Sequence, residues 1–233
     1  MLAQWNIKSV TKTVSINRTL TATVLAIVMH LAGALGILYW RRDWFLMLTP
    51  FNLLVMFFLL IWTLPEKNKT IYWFFILAFS LGVGSEMIGV KTGLFFGQYQ
   101  YGKIMGFSFN GVPMLIGIYW FIIVYACGML ALKILDIFSN SAMRMGAFTK
   151  WSAGFFIIGG ALLATSFDYI MEPAATKLGF WSWENDSIPL LNYLSWFLVS
   201  ICMLFFSRSV KLKHHSFAVN LLLIQAFFFL LLR

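Results

Sequence analysis

Long apolar stretches recur along this chain, and short segments that carry most of the charged residues separate them. An α-helix needs about 20 mostly apolar residues to cross the roughly 30 Å hydrocarbon core of a bilayer. Stretches of this kind lie near residues 19–40, 44–64, 70–90, 112–134, 150–172, 189–207 and 216–232. They lack the alternation of apolar and polar residues that a membrane β-barrel shows. The sequence therefore predicts an all-α polytopic transmembrane helical bundle of about seven spans, with residues 1–233 forming a single transmembrane domain.

The composition agrees with a membrane protein, because 61% of the residues are hydrophobic and only 11% are charged. A soluble globule would need more polar surface than this. A net charge of +9 could suggest a nucleic-acid partner, but the distribution of the charges favours an orientation signal. Six of the 17 Lys and Arg residues fall on one side of the predicted spans: Arg41, Arg42, Lys91, Lys103, Lys177 and Arg233.

The remaining eleven basic residues (17 − 6 = 11) fall on the other side, together with the N-terminal segment 1–18. The more basic side of a multi-pass protein usually faces the cytoplasm. We therefore expect a multi-pass protein of the inner (plasma) membrane with a cytoplasmic N-terminus, surrounded by lipid and binding no nucleic acid.

Cysteine and histidine give little sign of a metal or redox site. Cys127 and Cys202 fall within spans and lack any CxxC or Cys/His spacing, so we expect packing positions and no disulfide. His214 and His215 share a loop on the basic side without partners at ligand spacing. We expect both histidines to be solvated, and no metal to be bound.

An internal repeat joins spans three and four to spans five and six. A constant offset of 86 residues superposes Ser80 on Ser166, Glu86 on Glu172, Lys91 on Lys177 and Gly93 on Gly179. An aromatic loop follows each glycine, and each repeated segment, 80–113 and 166–189, closes with a proline at the head of the next span. Because both copies run in the same direction, their acidic ends are expected together on one side of the membrane, framing a central site.

Three carboxylates lie within the spans: Glu86, Asp168 and Glu172. An ionised carboxylate there costs a few kcal/mol, so such residues usually face the protein interior and often mark function. Asp168 and Glu172 are four residues apart and share a helix face. A carboxyl in apolar surroundings retains its proton more readily, which suits it to act as an acid near neutral pH. We take the three as candidate catalytic residues; the alternative is that they pair with Lys91 and Lys177 at the membrane interface.

The two loops are rich in aromatic residues that could line an apolar slot and stabilise a cation through their ring faces. The candidate substrate-binding residues here are Phe95, Tyr99, Tyr101, Trp181 and Trp183. An aromatic belt at the lipid headgroups would give a similar composition. Asn110 and Asn192, near the heads of spans four and six, could orient a polar group or a water, or could be helix caps.

The segments EMIGVKTGLFFGQYQYG with GVPMLIGIYW, and FDYIMEPAATKLGFWSWEN with IPLLNYLSWF, closely resemble the CruF-type carotenoid biosynthesis proteins, which are membrane carotenoid 1,2-hydratases. The resemblance covers roughly residues 80–200, and spans one, two and seven match in hydropathy alone. It rests on Glu86, Gly93, Gly97, Tyr101, Gly111, Val112, Pro113, Trp120, Asp168, Glu172, Pro173, Trp181, Trp183, Pro189, Asn192 and Trp196. One of these residues, Trp120, is also taken as a candidate substrate-binding residue.

The resemblance implies an enzyme that adds water across the terminal C1–C2 double bond of an acyclic carotenoid, such as lycopene or a γ-carotene-like molecule. Protonation at C2 gives a tertiary cation at C1, which water captures, so no metal, nucleotide or redox cofactor is expected. Other carotenoid biosynthesis enzymes are possible partners. The site roles follow from the residues and not from the family.

Two other functions stay open. The TKLGFWSW segment is also similar to membrane lycopene cyclases, which capture the same cation with the C5=C6 double bond. Those proteins carry a Pro-x-Glu-Glu motif where this chain has Pro189-Leu190-Leu191-Asn192, which disfavours cyclisation. A non-enzymatic carotenoid-binding or transport protein would need no acid in contact with its ligand.

Overall fold

The computed structural model describes residues 7–66, 69–141, 148–207 and 213–233. Eight α-helices fill these ranges: α1 Ile7–Tyr39, α2 Arg42–Met47, α3 Thr49–Trp62, α4 Lys69–Thr92, α5 Leu115–Ser141, α6 Phe148–Leu178, α7 Leu190–Ser207 and α8 Ser216–Leu232. The all-α polytopic bundle is therefore confirmed. Five helical segments are long and apolar enough to cross a membrane: Asn17–Tyr39, Lys69–Thr92, Leu115–Phe138, Ala153–Leu178 and Leu190–Ser207. The helices Thr49–Trp62 and Ser216–Leu232 are apolar but shorter.

The second expected span, 44–64, is not one continuous helix. It is divided at Leu48 into α2 and α3, and Pro50 lies in the first turn of α3. A proline has no N–H to donate to the carbonyl four residues earlier, and its ring clashes with that carbonyl, so a continuous helix would be broken here. The apolar stretch 44–64 is therefore divided between two helices, a break that hydropathy alone does not indicate.

Helix α5 forms the centre of the bundle. In the most apolar 18-residue stretch of α5, 72% of the residues are buried, against 28% in the corresponding stretch of α1. Residues 121–127 are all buried, so this stretch contacts protein on every side. A helix that is apolar on all sides suits such a position. The residues near the start of α5 therefore also lie at the centre of the fold.

The loops after α4 and α6 lie at the same end of the bundle, which we call the loop end. Strand β1 (Tyr99–Tyr101) from the first loop pairs antiparallel with β4 (Trp181–Trp183) from the second, with Tyr99 opposite Trp183 and Tyr101 opposite Trp181. Gly93 and Gly179 end their helices with φ of +69° and +79°, the left-handed conformation that glycine adopts most readily. The repeated sequence thus yields two equivalent helix ends joined by a two-stranded ribbon.

The other end of the bundle holds a buried histidine that we expected to be solvated. His215 is only 3% exposed, because its ring bridges the hydroxyl of Thr63 (2.9 Å) and that of Tyr125 (3.1 Å). Burial lowers the pKa of His215 to about 4. His214 does face solvent, where it contacts Asp136.

Candidate active site

The three candidate carboxylates lie together in a pocket near the loop end, enclosed by α4, α5, α6 and α7 and covered by β1 and β4. Glu86, Asp168 and Glu172 are 5%, 0% and 2% exposed. We call this space the acidic pocket; its volume is about 30 Å³. Buried carboxylates must be hydrogen-bonded to persist, and each of the three has a different set of donors.

Glu86 accepts hydrogen bonds from three aromatic side chains. The hydroxyls of Tyr99 and Tyr101 both donate to its Oε2, the latter at 2.7 Å, and Trp120 Nε1 donates to Oε1 at 3.0 Å. Burial, reinforced by the nearby Glu86, raises the pKa of Tyr99 and of Tyr101 well above the ordinary value. The two phenols are therefore neutral donors across the physiological pH range.

Glu172 repeats this arrangement with indoles in place of phenols. Trp181 Nε1 and Trp183 Nε1 donate to its Oε2 at 3.0 and 2.8 Å. Asn192 Nδ2 donates to its Oε1 at 3.3 Å. Each glutamate thus takes two donors from the strand that follows its own helix and one from the next helix, so both are held as hydrogen-bond acceptors.

A second offset, of 76 residues, relates the helices that follow the two loops. It superposes Pro113 on Pro189 and Trp120 on Trp196. The two tryptophan rings stack at 3.8 Å with an angle of 21° between their planes, at the centre of the repeat. The first loop is therefore ten residues longer (86 − 76 = 10), and it contains the extra hairpin of β2 (Ser108–Phe109) and β3 (Val112–Pro113).

Asp168 breaks the symmetry of the repeat. Its equivalent in the first copy is Gly82, and the equivalent of its partner Asn192 is Ile116. A Cβ added at Gly82 would lie 2.7 Å from the ring of Trp120, so that half of the structure has no room for a carboxyl. The scaffold is duplicated, but the third carboxyl is present in one copy alone.

Asp168 is also the least satisfied of the three carboxyls. Asn192 Nδ2 donates to its Oδ2 at 2.7 Å, whereas Oδ1 is buried and has no hydrogen-bond partner among the residues that the structure describes. Leaving a buried carboxylate oxygen unpaired is costly. A proton would remove the charge of this carboxyl, and a molecule in the pocket that donates to Oδ1 would satisfy that oxygen. Among the described residues, Oδ1 of Asp168 is the one carboxyl oxygen of the three groups that has no donor.

A larger apolar cavity of about 250 Å³ adjoins the acidic pocket. It lies between α1, α2, α3 and α8, and Tyr119, Met171 and Trp181 line both spaces. The Tyr119 hydroxyl donates to the Met171 sulfur at 3.3 Å, so these two side chains form the boundary. Leu48 and Phe51 line the cavity and are exposed, so the cavity reaches the surface of the bundle beside the break between α2 and α3.

A third space extends the path along the outside of the bundle. This groove of about 320 Å³ runs between α1 and α8 and shares His30 and Phe228 with the apolar cavity. The acidic pocket, the apolar cavity and the groove are therefore consecutive. An elongated apolar molecule could occupy the outer two spaces with one end at the carboxylates.

The structure brings most of the candidate residues together. Lining the acidic pocket are Glu86, Asp168, Glu172, Tyr99, Tyr101, Trp120, Trp181, Trp183 and Asn192. Phe95 does not line it; the adjacent Phe96 does. Asn110 is exposed in the turn between β2 and β3, with φ of +50°. It is not the counterpart of Asn192, because the longer first loop puts Ile116 in that place.

The interface alternative, in which lysines pair with the carboxylates, is not what the structure shows. Lys177 Nζ instead donates to the backbone carbonyls of Leu232 (3.2 Å) and Arg233 (3.0 Å), and Lys91 is exposed. Within the described ranges, no group of three or more His, Cys, Asp or Glu residues could hold a metal ion.

Sequence reasoning missed several residues of the site. Tyr119, Met171, Ile116 and Trp196 line the acidic pocket, and the second offset would have placed Trp196 opposite Trp120. The residues of α1, α3 and α8 around the apolar cavity had no such signal, because they lie outside the repeat.

The fold and the site define a polytopic membrane protein with a buried carboxylate pocket reached from an apolar cavity. Residues 44–232 match the model of a family described as carotenoid biosynthesis protein, and the chain belongs to that family. The chain is also similar to bisanhydrobacterioruberin hydratase of Haloarcula japonica, with 27% identity over 128 residues. That match covers 53% of this chain and 40% of the relative. No solved structure matches the chain.

Proposed function

We propose that this carotenoid biosynthesis protein is a hydratase that adds water across the terminal C1–C2 double bond of an acyclic carotenoid end group, by acid catalysis and without a cofactor. The observation that carries the proposal is the unpaired Oδ1 of Asp168, in a pocket that adjoins an apolar cavity reaching the surface of the bundle. The name of the Haloarcula relative, a hydratase, supports the same reaction class.

The substrate reaches the site from the bilayer. A carotenoid dissolves in lipid, passes between α1 and α3 and lies along the apolar cavity, with its end at Tyr119 and Met171. The acidic pocket is large enough for water but not for a hydrocarbon end group. Because a thioether is a weak acceptor, the bond from Tyr119 to Met171 is easily broken, and rotation of Tyr119 admits the end group.

Asp168 supplies the proton. Its Oδ1 proton is transferred to C2, and the π electrons of the C1=C2 bond form the new C2–H bond, leaving a tertiary cation at C1. Asp168 becomes a carboxylate, and the Asn192 amide that already donates to Oδ2 stabilises it. The presence of Asp168 in one copy of the repeat fits this step, because one acid suffices to protonate one double bond.

The other groups of the pocket stabilise the cation. Glu86 and Glu172, each held by three donors, place negative charge beside it, and the stacked rings of Trp120 and Trp196 offer their π faces. Water in the pocket attacks C1 and loses a proton to Glu172. That proton returns to Asp168, whose carboxylate shares the Asn192 amide with Glu172, so the pocket is restored.

The test is product analysis in a lycopene-producing host that expresses the chain. We expect carotenoids heavier than the precursor by one water, and Asp168→Asn at matched protein level should abolish them. The control is Asp186→Asn, which removes an exposed loop carboxylate and should leave the product unchanged. A product of unchanged mass and altered absorption would mean cyclisation instead, and full activity of Asp168→Asn would exclude the acid role of Asp168.

A further inference from the structure

The apolar cavity contains polar side chains that the proposed reaction does not use. Among its mostly apolar lining residues are His30 of α1, Asn52 of α3 and Gln225 of α8. His30 is 6% exposed and Gln225 is 5% exposed. Three polar side chains from three helices therefore line one cavity beside the acidic pocket.

Two of these groups have an unpaired acceptor. Oδ1 of Asn52 and Oε1 of Gln225 are buried, and neither has a hydrogen-bond partner in the part of the chain that the structure describes. His30 can also accept a hydrogen bond. Its Nδ1 lies 2.8 Å from the carbonyl of Ala26 and must donate there, which leaves Nε2 of the neutral ring as an acceptor.

Unpaired buried acceptors destabilise a protein unless a ligand or a water satisfies them. Their position in the path of an apolar substrate indicates that the missing donor belongs to the substrate. A hydroxyl group fits this chemistry, because it donates one hydrogen bond and can accept another from a side-chain amide N–H.

We propose that the cavity contains a hydroxyl-binding subsite formed by Gln225 and Asn52, and that the preferred substrate is an acyclic carotenoid with a hydroxyl group close to its reacting end. The inference deepens the proposed function by naming the substrate class and rests on it. The cavity that contains the subsite adjoins the acidic pocket, since Tyr119, Met171 and Trp181 line both. The hydroxyl of the bound carotenoid therefore lies a short distance along the carotenoid from its reacting double bond.

The experiment measures binding and not turnover. Purified protein in lipid nanodiscs is titrated with two acyclic carotenoids of the same polyene length, one with a hydroxyl near one end and one without, and tryptophan fluorescence quenching gives each Kd. We expect the wild type to bind the hydroxylated molecule about tenfold more tightly, the difference that one hydrogen bond of about 1.4 kcal/mol makes.

The variants assign this preference to the subsite. Gln225→Leu and Asn52→Leu should each bring the Kd ratio close to one, with little change for the carotenoid that lacks the hydroxyl. The matched control is Asn220→Leu on the same helix, because Asn220 donates to Thr23 Oγ1 (3.0 Å) and does not line the cavity; it should retain the preference.

Equal binding of both carotenoids by the wild type would overturn the subsite, and would mean that water or a lipid hydroxyl satisfies the amides. An undiminished preference in both leucine variants would overturn it as well. The two proposals fail separately: a wild type that discriminates in binding but forms no hydrated product retains the subsite and loses the hydratase function.

Discussion

Asn192 is the residue on which the proposed acid depends most directly. Its Nδ2 donates to Asp168 Oδ2 at 2.7 Å and to Glu172 Oε1 at 3.3 Å, so one amide holds both carboxyls in place. Replacing it by leucine keeps the volume and removes both bonds. A hydrogen bond to a charged group contributes about 1.5 to 3 kcal/mol. Because the bond to Asp168 matters most once the proton has left, we expect Asn192→Leu to slow hydration by roughly tenfold to a hundredfold.

The assay is the initial rate of hydrated carotenoid formation in membranes with matched amounts of protein, followed across pH. The structure supplies a control in Ile116→Leu, a change at the equivalent buried position of the other repeat, where no carboxyl is held. A positioning role also predicts that the pH–rate profile shifts in Asn192→Leu and not in Ile116→Leu. If Asn192→Leu hydrates within about threefold of the wild-type rate, with an unchanged profile, the reasoning is refuted.

Three further outcomes follow from the packing, the buried histidine and the charge distribution. Gly82→Ala puts a Cβ 2.7 Å from the Trp120 ring and should lower the free energy of unfolding by about 1 to 3 kcal/mol. In the control Gly84→Ala, the added Cβ meets nothing within 4 Å. Equal melting temperatures of the two variants in detergent would contradict the expected clash. The folded state keeps His215 neutral down to its pKa of about 4, whereas the unfolded chain takes up a proton below about 6.5. The free energy of unfolding should therefore fall as the pH drops between these values, by up to about 3 kcal/mol. His215→Gln should remove most of that pH dependence in thermal melts. A reporter fused after Arg233 should read on the side opposite the cytoplasm, and a cytoplasmic signal would reverse the expected orientation.

The repeat was the strongest signal in the sequence, and it correctly paired Glu86 with Glu172. A fixed offset works along the matching parts of α4 and α6, because continuous helices keep each residue at the same position in its turn. It fails after the loops, whose lengths differ by ten residues, so Asn110 and Asn192, both named as candidates near the start of a helix, are not at equivalent positions. The position equivalent to Asn192 is Ile116, which carries no polar group.

The apolar cavity could not be predicted from the sequence. In a soluble helix, the apolar stripe shows which face is buried, but a membrane helix is apolar on the lipid side as well. Gln225 in α8 and Asn52 in α3 are the polar residues that could have marked the inner face of those helices. Their meaning depends on which other helices they meet, and hydropathy does not contain this information.

The break between α2 and α3 at Leu48 has a consequence for how the proposed reaction should be assayed. Because Leu48 and Phe51, at and beside this break, line the apolar cavity and are exposed, a substrate that enters here from the bilayer would be met at the concentration that prevails among the lipids and not in the surrounding water. Diluting a membrane suspension with buffer should leave the rate per protein unchanged. Fusing the same membranes with pigment-free lipid should lower it in proportion to the added lipid, so the Michaelis constant is properly expressed as a mole fraction in the bilayer.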